Sequence, residues 1–340
     1  MSRMHNKLLV LLLGLGGIAM AHAQSTSAPA SASTARIADL AAVTVSGVQP
    51  GPGLWKVSKG EHVLWVLGTL SPLPRGMQWR SHDVEQAIGE SRQLLLLPAV
   101  KFKADVGFFG KILLLPSAYS ARKNNDGETL QQVLPPPVYA RGQVLKKKYI
   151  GNDRGIERWR PIFAAQELYH KAIKANGLSK TGGIQANVDA LAKRYGVKEV
   201  PTSYQVVIEH PRAALKAFKR AAPHDTTCFI RMLDNIEQDM PAMTARANAW
   251  ATGDLQTLRN LPDSGWRDAC VAALADAGFA QTLGLDDVPA KQRAAWLAAA
   301  HVALESNPQT FAILPIDELL KPDGYLAKLQ AEGYEVEAPE

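Results

Sequence analysis

Few residues in this chain have types and spacings suited to chemistry, and the most suggestive follow apolar runs. Asp317 and Glu318 are adjacent acids after Thr310–Leu314, and Ser71 comes after His62–Leu67 across Gly68-Thr69-Leu70. If those two loops meet, they offer only oxygen donors, which is the set a hard divalent cation accepts. The plainer reading of the acids is a solvated loop or a helix-capping pair before Leu319. Ser71 as a nucleophile needs a base beside it, and Gly68-Thr69-Leu70-Ser71-Pro72 lacks the Gly-x-Ser-x-Gly elbow. His301 and Glu305 stand four apart, a spacing that serves a ligand pair or an ordinary surface contact. His62, His82, His170 and His210 are scattered. The chain has no His-Glu-x-x-His, no Gly-x-Gly-x-x-Gly and no Walker loop, so a zincin is excluded and nucleotide binding has no support.

The two cysteines, Cys228 and Cys270, are a disulfide candidate in an oxidising compartment, with two buried thiols as the alternative. A bridge there would stabilise the fold by ~4 kcal/mol through the shortened unfolded loop. His224 precedes Cys228 by four residues, but without further close ligands the pair does not make a metal site. The dense basic stretch Lys146-Lys147-Lys148 with Arg154, Arg158 and Arg160 reads as a solvated helix face in preference to an anion site. With a net charge of only +6, nothing calls for a nucleic-acid partner. Trp55, Trp65, Trp79, Trp159 and Trp250 would suit carbohydrate stacking if they lay exposed in a row, although burial is the commoner use of tryptophan.

The elements that must position these residues begin late in the chain. Arg3 and Lys7, the apolar run Leu8–Met20 and the small-x-small site Ala21-His22-Ala23 predict a cleaved export signal over residues 1–23. The mature chain is then periplasmic or secreted. No later apolar stretch reaches the ~18 residues of a membrane-spanning helix, so no transmembrane segment is expected in it. Residues 24–52, rich in Ser, Ala, Thr and Pro, read as a flexible lead-in. Leu54–Val57 and His62–Leu67 around Lys59-Gly60 predict a hairpin. Ser81 caps a short helix, and Leu94–Leu97, closed by Pro98, is a buried strand. From Thr129 to about Glu305 the period is mainly helical. Thr129-Leu130 opens a short helix stopped by Pro135-Pro136-Pro137, a long helix holds Trp159, Phe163, Leu168 and Ile173, and further helices cover residues 210–221, 226–251 and 291–304. Thr310–Leu314 is a strand, followed by a helix near Tyr325–Ala331 and the strand Tyr334–Val336. The echo of strand, loop, helix, strand at 63–97 and 310–336 predicts an α/β fold: two pseudo-equivalent halves sharing one core sheet, with a large helical insert between them.

Several motifs, taken in order, resemble the TraB/GumN family, relatives of the TIKI metalloproteases. They are Leu54-Trp55-Lys56-Val57, Trp65-Val66-Leu67-Gly68-Thr69 and Leu73-Pro74; then Asp126-Gly127-Glu128-Thr129-Leu130 with Leu134-Pro135; then Arg158-Trp159-Arg160-Pro161, Ala249-Trp250 and Gly253-Asp254-Leu255; finally Gly324-Tyr325-Leu326 and Gly333-Tyr334-Glu335-Val336. The resemblance implies one family domain over 53–338. It also implies a metal site built from a Gly-Thr-x-His loop, a Glu at the end of the next strand and a late Gly-x-x-His loop. Imidazoles and a carboxylate at neighbouring strand ends would hold a divalent ion that activates water.

This chain departs from that pattern at every ligand. Gly68 and Thr69 are kept, but Ser71 stands for the first His. Leu97, or Pro98 in the next register, stands for the Glu. Pro315, Asp317 and Glu318 form the late loop, with Pro for Gly and Glu for His. Gln292-Arg293 also replaces an Arg-Asn pair that the family often has. The reading is an exported, catalytically degenerate protein with a binding or envelope role and no assigned catalytic residue, metal or cofactor. The alternatives are a hydrolase or peptidase with a rearranged site holding a divalent metal such as Mn or Zn, and an envelope carbohydrate-binding accessory protein. The sequence names no partner.

Overall fold

Gly60 sits in the left-handed region at φ 62°, where a residue without a Cβ turns at little cost, and it closes the predicted hairpin. A computed structural model describes residues 52–339 apart from 78, 80, 181–182, 221–224, 264 and 276–286. The export signal, its cleavage site, the lead-in up to residue 51, and His224 therefore lie outside the described residues. In chain order the strands are Leu54–Lys59 (β1), His62–Thr69 (β2), Leu73–Pro74 (β3), Gln93–Leu95 (β4), Ala99–Ala104 (β5), Leu178–Ser179 (β6), Lys198–Val200 (β7), Ser203–Ile208 (β8), Gln309–Pro315 (β9) and Glu335–Glu337 (β10).

Six of these strands make one mixed sheet in the order β10-β1-β2-β9-β4-β7. β2, β9, β4 and β7 are mutually parallel, while β1 pairs antiparallel with both β2 and β10. β9 lies between β2 and β4, and Phe311, Ala312, Ile313 and Leu314 on it are fully buried. That is why its sequence is a continuous apolar run rather than an alternation: helices cover both faces of a parallel strand. One covering helix is Val288–Ser306, which contributes Trp296 and Ala300; another is His82–Gly89, whose N-cap Ser81 accepts from the Val84 N–H.

The two strand–helix–strand units do share this sheet. They cross it differently: β2 to β4 passes over one strand, whereas β9 to β10 passes over two in the opposite direction and ends at the sheet edge. With right-handed crossovers, opposite directions put the connecting helices on opposite faces.

The insert forms a second apolar core around Leu168, Tyr169, Phe229, Leu233 and Met240. Several expectations change here. Pro135 does stop the short helix Leu130–Val133, but Pro136 at once begins another, Pro136–Tyr149, because a first-turn proline gives up no helical hydrogen bond. The single helix expected over 226–251 is three pieces: Asp225–Asp234, a π-helical turn Asn235–Asp239, and Met243–Ala251. The basic stretch is not uniformly solvated. Lys146 is buried against Glu157 at 3.0 Å, and Arg160 is buried against Asp225 at 2.9 Å. Cys228 and Cys270 form a disulfide with Cα atoms 4.5 Å apart, joining Asp225–Asp234 to the helix Trp266–Ala275.

Among the elements not read from the sequence are β5, β8 and the helices Phe108–Ser120 and Trp266–Ala275. β5 and β8 form a separate parallel pair, with Val100 opposite Tyr204, Phe102 opposite Val206 and Ala104 opposite Ile208.

Candidate functional site

At the carboxyl ends of β2, β4 and β9 the chain brings together the loops that the sequence singles out. Gly68 lets the loops approach closely there, since a Cβ on it would force the tip of the Ile316 side chain to shift. Its carbonyl accepts from the Trp250 indole N–H at 2.6 Å. The Thr69 hydroxyl donates to the Leu314 carbonyl at 3.2 Å, and Thr69 lies opposite Pro315 in the β2–β9 register. Pro315 then starts the short helix Ile316–Leu320, which puts Asp317 and Glu318 in its first turn. Acids there suit the positive end of a helix.

The two loops meet through a cation, Arg267, that the sequence does not single out. Arg267 Nη1 lies 2.9 Å from Asp317 Oδ2, and Arg267 Nη2 donates to the Ser71 carbonyl at 3.2 Å. The Ser71 residue itself is exposed, next to the cis Ser71–Pro72 bond. Glu318 accepts from Lys321 at 2.6 Å, and Lys321 reaches Asp268 at 3.4 Å. Although burial opposes its charge, Glu318 and Asp268 together raise the Lys321 pKa above the ordinary lysine value. Arg293 stands 4.0 Å from Glu318 Oε2, which has no hydrogen-bond partner. After β4, Leu97 packs on the main core while Pro98 lines the adjoining cavity. The position facing the site is therefore a proline ring.

These donors do not fit a divalent metal. Asp317 and Glu318 are each engaged by a cation, the Ser71 carbonyl is taken by the same arginine, and Leu97 and Pro98 carry no side-chain donor. Among the described residues no three His, Cys, Asp or Glu side chains converge as a ligand set. His301 does not pair with Glu305 in a ligand arrangement. Its Nε2 lies 2.9 Å from Glu332 and its Nδ1 2.9 Å from the Tyr334 hydroxyl.

Beside the ion pairs opens a cavity of about 860 Å³, within the ~300–1,000 Å³ typical of small-ligand sites. Its far wall is apolar, from Val100, Phe102, Ile208, Leu215 and Phe218; its near end holds Arg267, Arg293, Asp317, Glu318 and Lys321. The sequence hint for this wall was the alternation Val100-Lys101-Phe102-Lys103, which puts Val100 and Phe102 on one face. The tryptophans do not form an exposed row: Trp55, Trp79 and Trp250 are buried, and Trp65 and Trp159 are half-buried. Trp79 and Trp250 pack edge to face at 5.1 Å.

Fold and site together define a mixed α/β protein with a cleft at the carboxyl ends of its parallel strands, closed on one side by a helical insert. The TraB/PrgY/gumN family model matches residues 53–338, and the chain belongs to that family. No curated protein and no solved structure matches it.

Proposed function

We propose that this is an exported member of the TraB/PrgY/gumN family whose strand-end site holds ion pairs in place of a metal, and that it works by binding a ligand in the adjoining cleft. The observation that carries the reading is Arg267, whose guanidinium bridges the Ser71 carbonyl and Asp317 where the resemblance implies a cation-binding centre. A fixed side-chain cation neutralises the surviving carboxylate without offering a Lewis acid or an activated water. Export is supported by the charged, apolar, small-x-small order of residues 1–23 and by the disulfide, which belongs to an oxidising compartment. Burial of Trp55, Trp79 and Trp250 takes three of the five stacking faces from the carbohydrate-binding alternative, and Trp65 and Trp159 are half-buried.

Calorimetry with Mn²⁺, Co²⁺ and Zn²⁺ tests the reading. The expected result is no one-to-one site, and little thermal stabilisation, since a weak ligand adds little through RT ln(1 + [L]/Kd). A stoichiometric site tighter than about micromolar, abolished by Asp317→Ala or Glu318→Ala, would instead favour a hydrolase with a rearranged centre.

A further inference from the structure

We propose that the cleft takes a single-chain amphiphile with a zwitterionic head group, its alkyl chain along the β5–β8 wall and its head among the ion pairs at the strand ends. This rests on the binding role proposed above and names the ligand class for the same site.

The apolar wall selects the chain. Val100, Phe102 and Ala104 project from one face of β5, Ile208 projects beside them from β8, and Leu215 and Phe218 come from the helix Pro211–Arg220. β5 and β8 pair with each other edge to edge, so what faces the cleft is alkyl and aromatic. An extended peptide laid there would bury a donor and an acceptor at each residue against groups that cannot answer them. A polymethylene chain has neither, and each buried methylene tightens binding by roughly fourfold. Phe102 on this wall is 61% exposed, and the helix Phe108–Ser120, whose Leu114 and Ala118 line the cavity, leaves Leu113 and Leu115 each 64% exposed. Exposed apolar side chains of this size suit an apolar partner.

The near end selects the head. Arg267, Arg293 and Lys321 line it alongside Asp263, Asp268, Asp317 and Glu318. The charges are interleaved: Arg267 with Asp317, and Lys321 with both Glu318 and Asp268. Three cations and four carboxylates line this end, so a head group carrying both signs meets a partner for each, whereas a singly charged one meets a partner for its own charge alone. A zwitterion exchanges like for like, its anion toward Arg293 and its ammonium toward Glu318 Oε2, the two groups whose mutual contact is long at 4.0 Å.

The test is calorimetry on the mature protein with 1-myristoyl lysophosphatidylethanolamine below its micelle concentration. Its 12-carbon homologue, myristate, myristyl trimethylammonium and an apolar decapeptide serve as comparisons. One-to-one binding is expected, weaker by about sixteenfold for the shorter chain and weaker for both singly charged amphiphiles. Ala118→Trp fills the cleft from the exposed side of the helix Phe108–Ser120, and Phe102→Glu puts a charge on its wall. Each should weaken binding about tenfold or more. Should Ala118→Trp lose its far-ultraviolet circular dichroism, Phe102→Glu, at a largely exposed position, decides. Equal affinity for both chain lengths, preference for the decapeptide, wild-type affinity in a folded Phe102→Glu protein, or binding only above the micelle concentration would overturn the proposal. A divalent-metal titration of the same sample reads the underlying role separately: neither metal nor amphiphile bound overturns the ligand class alone, whereas a tight metal site overturns the role.

Discussion

Arg267 ties Asp317 to Ser71, donating through one nitrogen to the carboxylate at 2.9 Å and through another to the backbone carbonyl at 3.2 Å. Both partners of the ion pair are substantially exposed, at 48% and 35% of their side chains. Its contribution to stability is therefore about 0–1 kcal/mol, and its consequence is positional. Arg267→Ala should leave the denaturation midpoint almost unchanged. Combined with Ser71→His, Pro98→Glu and Glu318→His, it should raise Zn²⁺ or Mn²⁺ affinity by at least ~100-fold in calorimetry, because two imidazoles and a carboxylate would replace a hydroxyl, a carboxylate and a ring, and the fixed cation would be gone. Position 98 is chosen over 97 because Pro98 faces the cavity and Leu97 packs on the core. No gain in affinity would mean that the strand ends of this chain do not form the metal position that the resemblance implies.

What the sequence revealed and what it hid divide along physical lines. β2 and β9 were legible as apolar runs, the terminal helix as a short periodic segment, and the cysteines as a pair. β5 was missed because none of its residues is fully buried, so the short alternation of Val100 and Phe102 with Lys101 and Lys103 does not stand out as a core strand. The helix Phe108–Ser120 is apolar along most of its length and carries Pro116 in its interior, so it shows no helical period. The π-helical turn Asn235–Asp239 leaves the apolar pattern intact while breaking the expected long helix. That the loops at Ser71 and Asp317 could meet was legible only as a condition, and Arg267, which joins them, lies 196 and 50 residues from them in the chain. Nothing local distinguishes it from any other exposed arginine. Lys146 and Arg160 looked like parts of a solvated run for the same reason: their partners Glu157 and Asp225 become neighbours only in the folded chain.

Export makes a direct prediction. Protein recovered from its native compartment should begin at Gln24, because Ala21-His22-Ala23 supplies the small residues that signal cleavage requires. Mass spectrometry of the intact chain reads this directly. An N-terminal Met1 on such protein would contradict it.

Reduction of the Cys228–Cys270 bridge, or Cys228→Ser with Cys270→Ser, should cost about 2–4 kcal/mol in urea denaturation, since the open chain regains the freedom of the closed loop. The bridge also anchors the helix Trp266–Ala275, which carries Arg267 and Asp268 into the cleft. Cleft ligands should therefore bind more weakly to the reduced protein under conditions where it remains folded. Unchanged stability on reduction would exclude the bridge as a structural staple.

Arg160 and Asp225 are among the most deeply buried charges, with side chains 7% and 4% exposed. Burial raises the Asp225 pKa, outweighing the hydrogen bond and charge of Arg160 that pull it down. Arg160 also donates to the Phe218 carbonyl at 2.8 Å, fixing a helix that lines the cleft. Asp225→Ala leaves a guanidinium buried without its counter-charge and should destabilise by about 3–5 kcal/mol. Replacing both partners, as in Arg160→Met with Asp225→Leu, should cost less, because no uncompensated charge remains. Equal losses in the single and double variants would show that the pair acts through packing alone.

Alkaline pH should weaken the fold through two buried phenols. Tyr169 and Tyr325, each 4% exposed or less, have pKa values pushed up to about 12. Burial is the main cause in both. Glu318 adds to it at Tyr325 against Arg293 and Lys321, while Asp239 adds to it at Tyr169 against Arg267. Because the folded values lie above the ordinary 10, the folded state holds more protons than the unfolded state between pH 10 and 12. Stability from this source is complete below pH 10 and falls as pH rises toward 12. Lys321 acts in the same sense: its raised pKa makes its contribution whole below 10.5 and lost as pH climbs through the folded value. The urea midpoint should therefore drop steadily over this range. Tyr325→Phe keeps the ring against Trp296, now 5.3 Å away, and removes the titrating hydroxyl, so it should flatten the drop, and Tyr169→Phe should do the same. A slope unaltered by both substitutions would mean that neither phenol is held protonated by the fold.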